Sequence, residues 1–144
     1  MEELLAALAQ AFADYRRELE ECRKAYRPTD GLLGLGRSEK DDPCHDRFYA
    51  RVGKATEALA ALRPSPEAAR RAAELLLARD DLASWPLSAR YMLQAAERHF
   101  LPLIPFLAPE DAAAIREKYT ARYKRWERLP VQEQLLKALK ARQP

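Results

Sequence analysis

Only seven residues of this chain are β-branched: two Val, two Ile and three Thr among 144. Sheet interiors are packed chiefly by such side chains, so seven of them cannot furnish the strands of a sheet. Alanine and leucine, both strong helix formers, supply 49 residues. The expectation is an all-α fold. The parallel-sheet scaffolds that give most nucleotide-binding and hydrolase motifs their context are excluded with it. With 144 residues, 48% of them hydrophobic, the chain can enclose one core and is short for two, which predicts a single domain over 1–144.

Leu5, Leu8, Phe12, Tyr15, Leu19, Cys22 and Tyr26 recur at spacings of three and four and draw one apolar seam along a first helix. Such a seam predicts packing inside the chain's own bundle, with a coiled-coil dimer as the alternative. Pro28 and Gly31 stop it. Residues 28–42 form a long connection holding three of the four glycines, and Asp42 before Pro43 has the form of an N-cap followed by a first-turn proline. A second helix is expected over 43–62, with Cys44, Phe48, Val52, Ala55, Leu59 and Leu62 inward.

Ser65-Pro66-Glu67 opens a third helix, expected to reach Arg79, and Trp85 lies in the connector that follows. A fourth runs to Phe100, with Met92, Ala95, Ala96 and His99 on its buried side. Pro102 and Pro105 turn Leu101–Ala108 into an apolar connector that has to be covered. Pro109 opens a fifth helix, on which Ala112, Ile115, Tyr119, Tyr123 and Trp126 share a face. Pro130 opens a sixth, carrying Val131, Leu135, Ala138 and Leu139. About six helices joined mostly by short turns predict a bundle or a small orthogonal array, the glycine-containing loop after the first helix being the exception.

That loop invites a phosphate-binding reading, because Gly31-Leu32-Leu33-Gly34-Leu35-Gly36-Arg37-Ser38 has the glycine spacing of such a loop. The context is wrong. A phosphate loop leaves a strand and enters a helix so that amides and dipole converge, whereas here a helix precedes it and Asp41-Asp42 intervenes. Leu32, Leu33, Leu35 and Arg37 are expected instead to tuck onto the bundle or to form an exposed tip that binds a partner.

Cys44-His45-Asp46, placed at a helix start, raises the question of a reactive thiolate. Asp41, Asp42 and Asp46 oppose it, and His45, adjacent to Cys44 on a helix, does not face it. A buried structural Cys44 beside an exposed His45 is the expectation. Cys22, Cys44, His45 and His99 are the only soft metal ligands, without C-x-x-C or H-x-x-x-H spacing. A redox or metal role for Cys22, Cys44 and His45 is the minor reading, and two reduced core thiols are the default. No cofactor is expected. His99, near a helix C-terminus, is read as a cap of free carbonyls, and the Pro102-Pro105 segment as a buried connection rather than a proline-groove ligand.

The net charge of +3 conceals an uneven layout. Residues 1–22 hold six acids against Arg16 and Arg17, while residues 116–144 hold nine bases against Glu117, Glu127 and Glu133. The acidic first helix and the basic last helices are expected to attract one another, within a monomer or between protomers. The bases Arg116, Lys118, Arg122, Lys124, Arg125, Arg128, Lys137, Lys140 and Arg142 also allow a phosphate-contacting surface centred on Arg122, Lys124, Arg125 and Arg128.

The N-terminus is acidic where a secretory signal wants bases, and the longest apolar stretch, Leu101–Ala108, falls far short of a membrane span. The sequence thus predicts a cytoplasmic, non-enzymatic helical domain that meets a protein partner or a second copy of itself and no membrane. A nucleic-acid-binding accessory protein is the alternative.

Overall fold

The computed structural model describes residues 1–25, 37–77, 79–124 and 128–144, with the backbone alone at 23–25 and 37–42. The described residues form six α-helices and no strand: α1 (Glu2–Ala25), α2 (Arg37–Ala61), α3 (Pro66–Leu76), α4 (Leu87–Ala96), α5 (Pro109–Arg122) and α6 (Pro130–Arg142). A short 3-10 turn, Leu82–Ser84, precedes α4, and a longer 3-10 segment, Glu97–Phe106, follows it. The all-α expectation holds. Among the described residues no helix is long and apolar enough to cross a membrane.

The start signals work where the cap chemistry is local. Ser65 sits in extended backbone and its hydroxyl accepts the amide of Ala68, with Pro66 in the first turn. Pro109 and Pro130 open α5 and α6 as read. Pro43 misleads. The second helix begins at Arg37, six residues before it, so Asp42 is no cap and Pro43 is interior. A proline there forgoes the bond to the carbonyl four residues back.

Two other boundaries shift. The third helix stops at Leu76 instead of Arg79. The fourth gives way at Glu97 to the 3-10 segment, which runs through both Pro102 and Pro105. Their spacing of three matches the 3-10 period. This segment buries Phe100, Leu103 and Ile104, so the apolar connector is covered as expected.

One core draws on every helix. Leu5, Leu8, Phe12, Tyr15 and Leu19 of the α1 seam are all buried within the chain, mainly against α2, with α3 beside it. The coiled-coil dimer that this seam could have made therefore has no surface to use. Tyr15 stacks on Phe48 with ring centroids 4.2 Å apart and on Trp85 at 5.6 Å, while Phe12 meets Phe48 edge-on at 5.2 Å. Contacts of this kind contribute roughly 0.5–1.5 kcal/mol each beyond their area. At the other end, α6 packs on α5 and on the 3-10 segment, which also meets α2 and α3.

The acids of α1 find bases, though not those expected. Glu18 lies 3.0 Å from Arg51 and 3.3 Å from Arg47 of α2, Asp14 approaches Arg51, and Glu2 pairs with Arg71 of α3. The attraction predicted between α1 and the basic last helices is absent among the described ion pairs. The reason is position: the α2 and α3 arginines lie beside α1, whereas α5 and α6 pack on the 3-10 segment.

Candidate functional site

Three constellations carry the chemistry. The first joins α1 to α2. Cys22 and Cys44 are bonded as a disulfide across 22 positions of sequence, which replaces the expectation of two reduced thiols. Cys44 is fully buried and Cys22 half-buried. An Arg47 guanidinium nitrogen lies 3.4 Å from Sγ of Cys44, and the carbonyl oxygen of Glu18 is 3.5 Å from the same sulfur. His45, expected to be exposed, is only 9% exposed, and its Nδ1 lies 2.5 Å from the Tyr15 hydroxyl. The reading that His45 does not serve Cys44 holds, because its hydrogen bond goes to Tyr15. Among the described residues no group of three or more His, Cys, Asp or Glu side chains is disposed to hold a metal ion.

The second constellation surrounds Glu97, which the sequence analysis passed over. Glu97 is 2% exposed, and its carboxyl accepts the hydroxyls of both Tyr119 and Tyr123, the latter at 2.6 Å. Burial pushes the Glu97 carboxyl up to about 7, with the Tyr119 and Tyr123 hydroxyls, the Arg122 guanidinium and the Gln132 amide pulling the other way. Burial and the neighbouring carboxylate raise both phenols as well. Gln132, fully buried, accepts the amide of Leu129 at 2.6 Å and so closes the start of α6 over the cluster. The spacing of Tyr119 and Tyr123 was legible as a shared face, but it carried no sign that a carboxylate from the 3-10 segment would meet it.

The third is the basic C-terminal region. Arg122 is spent on structure: its guanidinium donates to the carbonyls of Leu77, at 2.8 Å, and Arg79, at the end of α3. Arg128 donates to the Tyr123 carbonyl at 3.0 Å and approaches Glu133 at 3.6 Å. Lys124 is exposed just beyond α5. Arg125 lies outside the described residues, as do Trp126 and the candidate tip Leu32, Leu33 and Leu35; of Arg37 only the backbone is described.

Other bases of the set converge instead. Arg116, Arg128, Lys137 and Lys140, with Thr120, Glu133 and Leu136, line a groove of about 260 Å3 between α5 and α6. Nε of Arg116 is buried with no hydrogen-bond partner. Among the described ion pairs and hydrogen bonds, none involves the side chains of Arg116, Lys137 or Lys140.

His99 does not cap a helix. Its ring packs against Tyr49, tilted by 60° with centroids 4.3 Å apart, and fills the space left by Gly53, and its Nε2 is buried without a partner. Burial, together with nearby Arg98, lowers its pKa below the usual histidine value, against a smaller pull from Glu57. Compared with known protein families, with curated proteins and with solved structures, the chain matches none.

Proposed function

We propose that this chain is a non-enzymatic helical binding domain whose working surface is the groove between α5 and α6, and that the groove takes the phosphate backbone of a nucleic acid. The observation that carries the reading is the convergence of Arg116, Lys137 and Lys140 on one groove with no described ion pair of their own, while the one carboxylate that lines it, Glu133, lies beside Arg128. Bases that were only stabilising the fold would be paired, as Arg122 and Arg128 are. A guanidinium on one wall and two ammonium groups on the other suit phosphate oxygens, and neutralising a polyanion releases its condensed counterions.

The two buried titratable clusters support the non-enzymatic half of the reading. Glu97 and His45 are already engaged by tyrosine hydroxyls and lie away from solvent. The proposed phosphate surface keeps Arg128 and draws on Arg116, Lys137 and Lys140 of the same basic set, with Arg122 engaged by the fold.

The test is fluorescence anisotropy with single-stranded RNA and duplex DNA across a salt series, with an acidic peptide and anionic vesicles as competitors. Affinity that falls steeply with salt and is weakened by Lys137→Ala with Lys140→Ala supports the proposal. No binding at low salt, or preference for the peptide or the vesicle, overturns it.

A further inference from the structure

We infer that the Cys22–Cys44 disulfide is a thiol-exchange site, opened by a dithiol reductant that attacks Cys22. The argument starts from the unequal setting of the two sulfurs. Cys44 is fully buried between α1 and α2, whereas Cys22, in the last full turn of α1, is half-buried. An external thiolate therefore reaches Cys22 first. The bond from that thiolate to Cys22 Sγ forms as the Cys22–Cys44 bond breaks, and the electron pair leaves on Cys44 Sγ as a thiolate. The second thiol of the reductant then attacks its own sulfur in the mixed disulfide, releasing Cys22. The reductant is oxidised by two electrons and its two protons pass to the cysteines.

The site is built for that leaving group. Thiol–disulfide exchange is faster when the departing sulfur is stabilised as an anion. Arg47 places a guanidinium nitrogen 3.4 Å from Cys44 Sγ, although the same side chain also reaches Glu18 at 3.3 Å. The reduced state has a partner in place as well: once protonated, the Cys44 thiol can donate to the Glu18 carbonyl 3.5 Å away. Cys44 thus has a polar neighbour for its thiolate and another for its thiol. A bond that served only to brace the fold would need neither feature. The site joins α1 to α2 and lies on different helices from the α5/α6 groove, so it stands whether or not that groove binds nucleic acid.

The experiment is reduction of the folded protein by dithiothreitol and by a thioredoxin-class dithiol reductase whose resolving cysteine is replaced by serine. Peptide mapping locates the trapped mixed disulfide, and maleimide labelling follows the rate. The expected results are a mixed disulfide on Cys22, complete reduction without denaturant, and reduction slowed about three- to tenfold in Arg47→Gln. In that variant the circular-dichroism spectrum checks the fold, and Arg47→Lys restores part of the rate. A bond that opens only in denaturant, a mixed disulfide on Cys44, or a rate indifferent to Arg47 overturns the assignment.

Discussion

The Tyr123 hydroxyl donates to Oε1 of Glu97 across 2.6 Å, and the residue that receives it is 2% exposed. Tyr119 donates to the other oxygen, Arg122 adds its charge nearby and Gln132 closes the cluster from α6. These groups ease the burial of the carboxyl without cancelling it, so its pKa in the folded protein is about 7 against 4.5 unfolded.

Glu97 should therefore make folding weaken as pH rises. Between about 4.5 and 7 the unfolded chain has released the proton that the folded chain keeps. The folded state binds more protons there, and stability falls with pH. The full span corresponds to about 3 kcal/mol. Urea unfolding at pH 4.5 and pH 8 should show this loss in the wild type, and Glu97→Gln, which cannot ionise, should lack it. An equal pH slope in the two proteins would refute the account.

Removing the carboxyl group altogether is a different matter. Glu97→Ala leaves the Tyr119 and Tyr123 hydroxyls buried without their acceptor and opens a cavity among α5, α6 and the 3-10 segment. A loss of about 3–5 kcal/mol is expected at pH 5 from the orphaned hydroxyls and the void together. Glu97→Gln at the same pH should lose far less, and denaturant midpoints read the difference.

Arg122 and the pair Lys137 and Lys140 should separate stability from binding. Arg122→Ala forfeits charged hydrogen bonds to the carbonyls of Leu77 and Arg79, at a cost of about 2 kcal/mol. Its effect on nucleic-acid affinity should be small while the protein stays folded. Lys137→Ala with Lys140→Ala should leave the melting temperature nearly unchanged and reduce the slope of log affinity against log salt by about 2. A lower melting temperature with an unchanged slope would place these lysines in the fold instead.

Gly53→Ala sets two effects against each other. Alanine in a helix is worth about 1 kcal/mol over glycine. The added Cβ, however, would meet Cε1 of His99 at 2.9 Å, and that ring is held against Tyr49. Displacing it should cost about 1–3 kcal/mol, so the single variant should lose stability. In a His99→Ala background the same substitution should gain it. A double-mutant cycle with no coupling would show that the ring moves aside freely.

Opening the disulfide should cost about 3 kcal/mol through the loop it closes. Cys22→Ser and the reduced wild type should unfold at the same denaturant concentration, below the oxidised protein. If the oxidised and reduced forms unfold together, the bond contributes nothing to the fold.

How much of this was legible in sequence depends on the range of each signal. The α1 seam, the Ser65 cap, the first-turn prolines 109 and 130 and the covered Leu103-Ile104 connection all follow from neighbours within a few positions. Pro43 shows where that logic stops. A proline tolerated inside a helix looks identical to one that starts it, and the helix begins at Arg37. Likewise, Arg122 and Lys140 are both bases of the same stretch, and only the docking of α5 beside the end of α3 turns the former into a cap.

The sequence by itself determined that the chain is helical, through its shortage of β-branched residues and the periodicity of its Ala and Leu, because helix formation is governed by residues on adjacent turns. Tertiary structure alone decided that Cys22 meets Cys44, that Tyr15 turns His45 inward, that Glu97 lies between two tyrosines, and that Arg116 shares a groove with Lys137 and Lys140. Each of these pairs joins separate helices or segments. Whether such side chains meet depends on where the helices pack, and no spacing along one helix encodes that.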